Sequence, residues 1–120
     1  MPFQGSYIFN ASMDVTAEKE ALFNEVYDTE HVPLLSKVPG VISIARFKTQ
    51  ELVLAIGGER RTIFVESEPR YSAIYEVERA DVMSTDAWIE ALEAGRWAEE
   101  VRPFTSNRRH TLHRLMAPGQ

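Results

Sequence analysis

Residues 27–48 read YDTEHVPLLSKVPGVISIARFK, and how that stretch is divided decides the fold. Its first part continues an apolar helical spacing formed by Leu22, Phe23, Val26 and Tyr27. Thr16 is suited to cap that helix, and Glu18 and Glu20 fall in the first turn, where the dipole favours anions. The spacing predicts a helix from about Ala17 to about His31. Pro33 disfavours the α region at Val32, so the helix is expected to stop there. Pro39-Gly40 marks a turn. Val41 to Thr49 (VISIARFKT) is rich in β-branched residues and reads as a strand.

Outward from this stretch the pattern repeats. Ser6 to Met13 (SYIFNASM) sets Tyr7, Phe9, Ala11 and Met13 against Ser6, Ile8, Asn10 and Ser12, a first strand with one fully apolar face. Arg70 to Glu78 (RYSAIYEVE) alternates Tyr71, Ala73, Tyr75 and Val77 with Ser72, Ile74 and Glu76. Asp81 to Ala94 reads as a helix with Trp88, Ala91 and Leu92 on one stripe and Gly95 as its stop. A ragged segment, Arg96 to Asn107, is broken by Pro103. Arg108 to Met116 closes the chain as a strand. The order is β-α-β-β-α-β, the ferredoxin-like α+β arrangement with an antiparallel sheet.

Between the second and third of these strands lies ELVLAIGGERRTIFVESEP, longer than a hairpin connection needs to be. Gly57-Gly58 between LVLAI and RRTIFV signals an extra two-residue hairpin, either prolonging the main strands or forming an added arm. Leu52, Val53, Leu54, Ala55 and Ile56 are consecutive apolar residues, so both faces are expected to be covered, a second subunit being one way to do so.

At 120 residues the chain fits one domain, 1–120, and its 44% apolar content supports one modest core. A net charge of −5 argues against a nucleic-acid binder. With no cysteine, disulfide scaffolds, thiolate nucleophiles and Cys-based metal centres are excluded. The start MPFQGSYIFN lacks the charged and apolar regions of a signal peptide, and no apolar run approaches the roughly 18 residues that span a bilayer. A cytoplasmic protein without membrane contact is the expectation.

Two helices cover one face of a four-stranded sheet. Bulky apolar groups stand on both alternation sets of its strands: Ile42 and Ile44 against Val41 and Phe47, and Ile74 against Tyr75 and Val77. A homodimer packed sheet to sheet would hide the second face, and its eight strands would form a barrel with room for a small ligand. The cavity is therefore expected between the two sheets and inseparable from dimerisation.

YDTEHVPLLSKVPGVISIARFK and the later RYSAIYEVE resemble the dimeric α+β barrel superfamily, nearest its EthD-like and uncharacterised bacterial members, in an E-H-x-P element, a V-P-G turn and an aliphatic Y-E strand. The resemblance follows the element order over most of the chain; its motifs occupy about a third. It implies a dimeric barrel enclosing a small-molecule cavity. Reactions in the superfamily include cofactor-independent monooxygenation, polyketide cyclisation, lactone isomerisation, dehydration and haem chemistry, so the fold does not select among them. The long Gly57-Gly58 hairpin departs from the shorter connection of these relatives.

His31 is the first candidate for chemistry. A histidine in the last helical turn, paired with Asp28, is explained by helix structure alone. The resemblance implies instead that it borders the cavity, where an imidazole could transfer protons near neutral pH. Tyr27, Tyr75 or Arg46 could then stabilise developing negative charge. Each has a plainer explanation: Tyr75 as core, Arg46 as a strand residue reaching for water. Asn10 and Ile44 are candidate lining residues, and Trp88 and Trp97 could form an aromatic wall, although a helix-to-sheet contact accounts for Trp88.

No metal site is expected. His110 and His113, three apart on a strand, point to opposite faces. One histidine could in principle ligate a haem iron, but no haem pattern accompanies it. There is no phosphate loop and no G-x-S-x-G element. The favoured expectation is a cofactor-free lyase, isomerase or cyclase for a small apolar carbonyl or aromatic compound, with oxygenation ranked below. The alternatives are a non-catalytic, stress-associated binding dimer and an accessory subunit of a larger enzyme system.

Overall fold

A computed structural model describes residues 3–116. Six strands form: β1 (Tyr7–Val15), β2 (Val41–Lys48), β3 (Leu52–Ile56), β4 (Glu59–Ile63), β5 (Tyr71–Val77) and β6 (Thr105–Arg114). The main sheet has the order β2-β5-β1-β6, antiparallel throughout, while β3 and β4 pair only with each other. This is the α+β ferredoxin-like plan read from the sequence, with the extra hairpin as an arm and not as a prolongation of the main strands.

The alternation in β1 and β5 assigns the faces. Tyr7, Phe9, Ala11, Met13 and Val15 turn toward the helices with Tyr71, Ala73, Tyr75 and Val77. Helix residues Phe23, Val26 and Leu35 close over them and are fully buried, as are Val82 and Val101. Burying each such side chain contributes roughly 1.5–3 kcal/mol, which makes this layer the main source of stability. The far face carries Ile8, Asn10, Ser12, Ser43, Ala45, Phe47, Ser72, Ile74 and Glu76. Glu76 is buried there and is satisfied by the backbone N–H groups of Gln4 and Gly5 and by Ser43 Oγ, the last two at 2.6 and 3.0 Å.

The first helix departs from expectation. It opens as one 3₁₀ turn (Ala17–Lys19), continues as α1 (Glu20–Val26), widens into a π turn (Tyr27–His31) and resumes as α2 (Val32–Leu35). It therefore runs through Pro33 instead of stopping before it. The proline tolerates this because its fixed φ is helical and its missing N–H falls in the first turn after the π turn has shifted the hydrogen-bond register, Val32 N–H donating to Tyr27 O.

After a 3₁₀ turn (Val82–Ser84), α3 (Asp86–Glu93) is capped by Thr85, whose Oγ1 accepts from Trp88 N–H at 3.3 Å. The stretch expected to be ragged is ordered as a second π turn (Trp97–Val101) and a 3₁₀ turn (Arg102–Phe104), and β6 begins at Thr105, three residues before the expected start. Within β6, Asn107 and Arg108 together oppose the single Met13, a β-bulge in which Asn107 adopts a left-handed φ of 51°.

The hairpin turns at Gly57 and Gly58, both at positive φ, as a two-residue turn of the primed type requires. Leu52, Leu54 and Ile56 share one face with Ile63, while Val53 and Ala55 share the other with Thr62 and Arg60. Both faces are open, Leu52 and Val53 at 48% and 62% exposure. No helix among the described residues is long and apolar enough to cross a membrane.

Candidate functional site

A cavity of about 380 Å³ opens between the sheet and the helical layer. It lies inside the protomer, on the face opposite the one the sequence assigned to it. The expected chamber lay between two sheets; this cavity is formed by one protomer alone. The helices sit over β1, β5 and β6 without filling the space above Ala11, because small side chains there leave room that the large rings around them cannot close.

The two π turns supply the central pair. His31 ends the first and Trp97 begins the second, and their rings stack at 4.3 Å between centroids with planes 21° apart. Glu30 and Arg96, the adjacent residues, hold them in register: Glu30 accepts from Arg96 N at 2.9 Å and from Arg96 Nε at 2.6 Å. Gly95, at φ 75°, makes room, since a Cβ there would lie 2.5 Å from the Glu30 carboxylate. Tyr27 meets His31 edge-on at 5.0 Å and shares a hydrogen bond of 3.2 Å with the Tyr75 hydroxyl. Phe9 stacks on His110 at 6.0 Å, and Trp88 meets Phe9 and Tyr75 edge-on.

His31 is 3% exposed, and its Nδ1 is sealed from solvent with no hydrogen-bond partner. Burial lowers its pKa to about 4, helped by the positive charge of Arg102 and opposed by Glu93. At neutral pH the ring is therefore an uncharged imidazole. Leaving such a group unpaired costs free energy in an ordinary core. Burial raises the Tyr27 and Tyr75 hydroxyls above the usual phenol range, so both are neutral donors or acceptors. At the rim Glu93 takes Arg102 through two hydrogen bonds of 3.0 and 2.5 Å, and Arg108 and His110 face the opening from β6.

Of the residues singled out in the sequence, His31, Tyr27, Tyr75, Trp88 and Trp97 meet in this cavity. Arg46, Ile44 and Asn10 do not. Arg46 lies behind Tyr27, its guanidinium 4.5 Å from that ring and bonded to Asp28 at 2.7 Å and to Asn24 at 2.8 Å. Asp28 is thus engaged by Arg46, leaving His31 without the expected partner. Ile44 packs against the core beside Tyr75, on an outer strand beyond the cavity's reach. Asn10 points to the far face, opposite Ile74 and Thr111, because its neighbours Phe9 and Ala11 own the helix side. Sequence reasoning missed Phe9, Met83, Leu92, Glu93, Arg102, Arg108 and His110 as lining residues. Phe9 stood in the apolar set of the first strand; for Arg102 and Arg108 no periodic signal existed. His110 lines the cavity, whereas His113 faces away and sits 3.1 Å from Thr111 Oγ1.

No family model matches the chain, and neither does any curated protein. Solved structures do. A provisionally assigned antibiotic biosynthesis monooxygenase from Bordetella bronchiseptica is 17% identical with a TM-score of 0.64, covering 94% of this chain and 99% of its own. An ethyl tert-butyl ether degradation (EthD) family protein from Bacillus halodurans is 16% identical with a TM-score of 0.57, covering 92% and 99%. The haem-degrader MhuD from Mycobacterium tuberculosis, solved with two haems in its active site, is 14% identical with a TM-score of 0.55, covering 92% and 95%.

At these identities the likeness establishes the fold: the chain has the ferredoxin-like α+β fold of antibiotic biosynthesis monooxygenase-like and EthD proteins. It also overturns one ranking. Lyase, isomerase or cyclase chemistry stood above oxygenation in the sequence reading; the neighbours are a monooxygenase by name and a haem-degrader, and the order is withdrawn.

Proposed function

We propose that this protein is an oxygenase for a small, planar, electron-rich aromatic molecule held in the cavity beside His31. The observation that carries the reading is the buried, unpartnered imidazole in a chamber walled by aromatic rings. Such walls take a flat ring and exclude water, and Nε2 is the imidazole nitrogen left to meet a polar atom of the ligand, since Nδ1 is sealed. Burial keeps His31 neutral. It accepts a proton only when a developing substrate anion replaces water as the partner of the imidazolium. The Tyr27–Tyr75 hydroxyl pair faces the same space and is suited to donate to a ligand oxygen as charge builds on it.

Reaction with O₂ then needs no external reductant if the substrate supplies the electrons. A ring CH₂ activated by a neighbouring carbonyl loses two hydrogens and gains one oxygen atom, while the other oxygen atom leaves as water. Anthrone is a direct probe: one O₂ should be consumed per anthraquinone formed, above the protein-free rate, without released peroxide. His31→Ala should lower kcat by about 10²–10⁴-fold. Anthrone that binds but consumes no O₂ would rule the oxygenase reading out.

Haem binding is a second reading, favoured by one feature: two imidazoles, His31 and His110, line the same cavity, and burial shifts both toward the neutral form that a metal ligand must have. His31 could offer only Nε2, since Nδ1 is sealed. Bound haem would supply the redox chemistry of its iron. Titration with haemin, followed in the Soret region for the wild type, His31→Ala and His110→Ala, tests it.

We further infer that two copies pack through the far sheet face, where Phe3, Ile8, Ala45, Phe47 and Ile74 form an apolar patch, Phe47 being 53% exposed. In this reading dimerisation covers that patch and does not build the chamber.

A further inference from the structure

We infer that the molecule taken by the cavity carries an anionic group, and that Arg108 holds it at the mouth. This rests on the reading of the cavity as a site for a planar aromatic molecule, and gives that molecule its class: an aromatic acid.

Two arginines line the opening, and they differ. Arg102 is already engaged, its guanidinium held at two points by Glu93. Arg108 is exposed and makes no ion pair among the described residues. Its neighbour Arg109 points to the far face and is held by Glu68 at 2.9 Å and Ser67 O at 3.0 Å, so a carboxylate is at hand for one residue and not for the other.

The direction of Arg108 is built into the strand. In an unbroken ladder one residue of β6 would oppose Met13; the bulge sets both Asn107 and Arg108 there. Asn107 takes the left-handed conformation, which asparagine tolerates better than most residues, and its Nδ2 is fastened to Asp14 Oδ2 at 3.1 Å and to Ser67 O at 2.9 Å. Arg108 itself follows the strand alternation: Arg109 pairs with Ser12 of the far face, so Arg108 stands on the cavity side with Met13, and the bulge ends the regular ladder just before it.

The local charge runs against the whole. The chain carries −5, yet the rim holds Arg102 and Arg108 against Glu93 alone. A guanidinium offers a planar pair of N–H donors that match a carboxylate, and beside aromatic walls the attraction is stronger than in open solvent. The apolar floor and, among the described residues, the one unpaired cation at the mouth together select a ring with one acidic substituent over a neutral ring.

Binding, not turnover, is the readout, so a failed oxygenation assay leaves this inference standing and a failed anchor leaves oxygenation standing. The intact protein is titrated with 2-naphthoate and with its neutral isostere 2-naphthamide, following the fluorescence of Trp88 and Trp97. The naphthoate should bind about tenfold tighter, and added salt should weaken it alone. Arg108→Gln should remove about that tenfold preference and leave 2-naphthamide within about twofold, while Arg108→Lys restores part of it. Equal binding of the two probes to the wild type, or equal loss of both in Arg108→Gln, overturns the anchor. Binding of neither overturns it together with the aromatic-site reading.

Discussion

The imidazole of His31 lies flat against the indole of Trp97, 4.3 Å between centroids, and each ring belongs to a π turn. The widened turns are what bring the rings together. An ordinary α-turn at either place would rotate the side chain by the angle of one residue. π turns inside helices often mark functional positions, and here two of them meet face to face.

Proton linkage at His31 gives the first prediction. The folded-state pKa of about 4 lies below the ordinary histidine value, so the unfolded chain binds the proton more readily. Stability therefore rises with pH between about 4 and 6.5 and is level above, as far as this group is concerned. From pH 7 to pH 5 the loss should be about 2 kcal/mol. Urea denaturation of the wild type and His31→Phe at both pH values measures it. The variant keeps an aromatic ring on Trp97 and should show little of the drop; an equal drop in both would remove His31 as the cause.

The Tyr27–Tyr75 hydroxyl pair gives a second. Each phenol oxygen satisfies the other at 3.2 Å in a buried setting. Removing one leaves its mate without a partner, so Tyr27→Phe or Tyr75→Phe should each cost about 1–3 kcal/mol. The double variant should cost clearly less than the sum, because no orphan then remains. Strict additivity in denaturant titrations would mean that the two groups do not depend on each other.

Removal of the β3–β4 arm tests whether it joins copies. Leu52, Leu54, Ile56 and Ile63 line one face of a two-stranded ribbon, and such a ribbon is at best marginally stable alone in water. Replacing residues 52–63 by a short Gly-Ser link should leave the thermal midpoint of the protomer core nearly unchanged and weaken self-association by about tenfold or more in sedimentation equilibrium. An unchanged association constant would show that the arm takes no part.

At the β6 bulge, Asn107→Gly keeps the left-handed φ and should cost only the two exposed side-chain hydrogen bonds, about 1 kcal/mol, whereas Asn107→Val loses them too and should cost about 1–2 kcal/mol more through backbone strain. If the bulge steadies the backbone next to Arg108, the valine variant should also lose discrimination between 2-naphthoate and 2-naphthamide. Retained discrimination in a folded Asn107→Val protein would separate the bulge from the anchor.

Period-two alternation in SYIFNASM and RYSAIYEVE, the 3.6-residue spacing around Phe23 and the Gly57-Gly58 turn are local signals, and they were enough for the element order and the ferredoxin-like plan. Tyr27 and His31 could be singled out because four residues along a helix is a contact distance. What the chain could not declare is which face holds the cavity. Both faces of the sheet carry large apolar side chains, and only packing shows that the helices stand off Ala11 while Asn10 is turned away. The π turns were equally hidden: Pro33 signals an end by its own chemistry, and the helix passes it only because the surrounding core holds the wider turn. Arg108 and Arg109 are adjacent in sequence and identical in kind. Strand alternation sends them to opposite faces, but which of the two turns to the cavity is decided by pairing across the sheet, Arg109 falling opposite Ser12, and no local pattern encodes that.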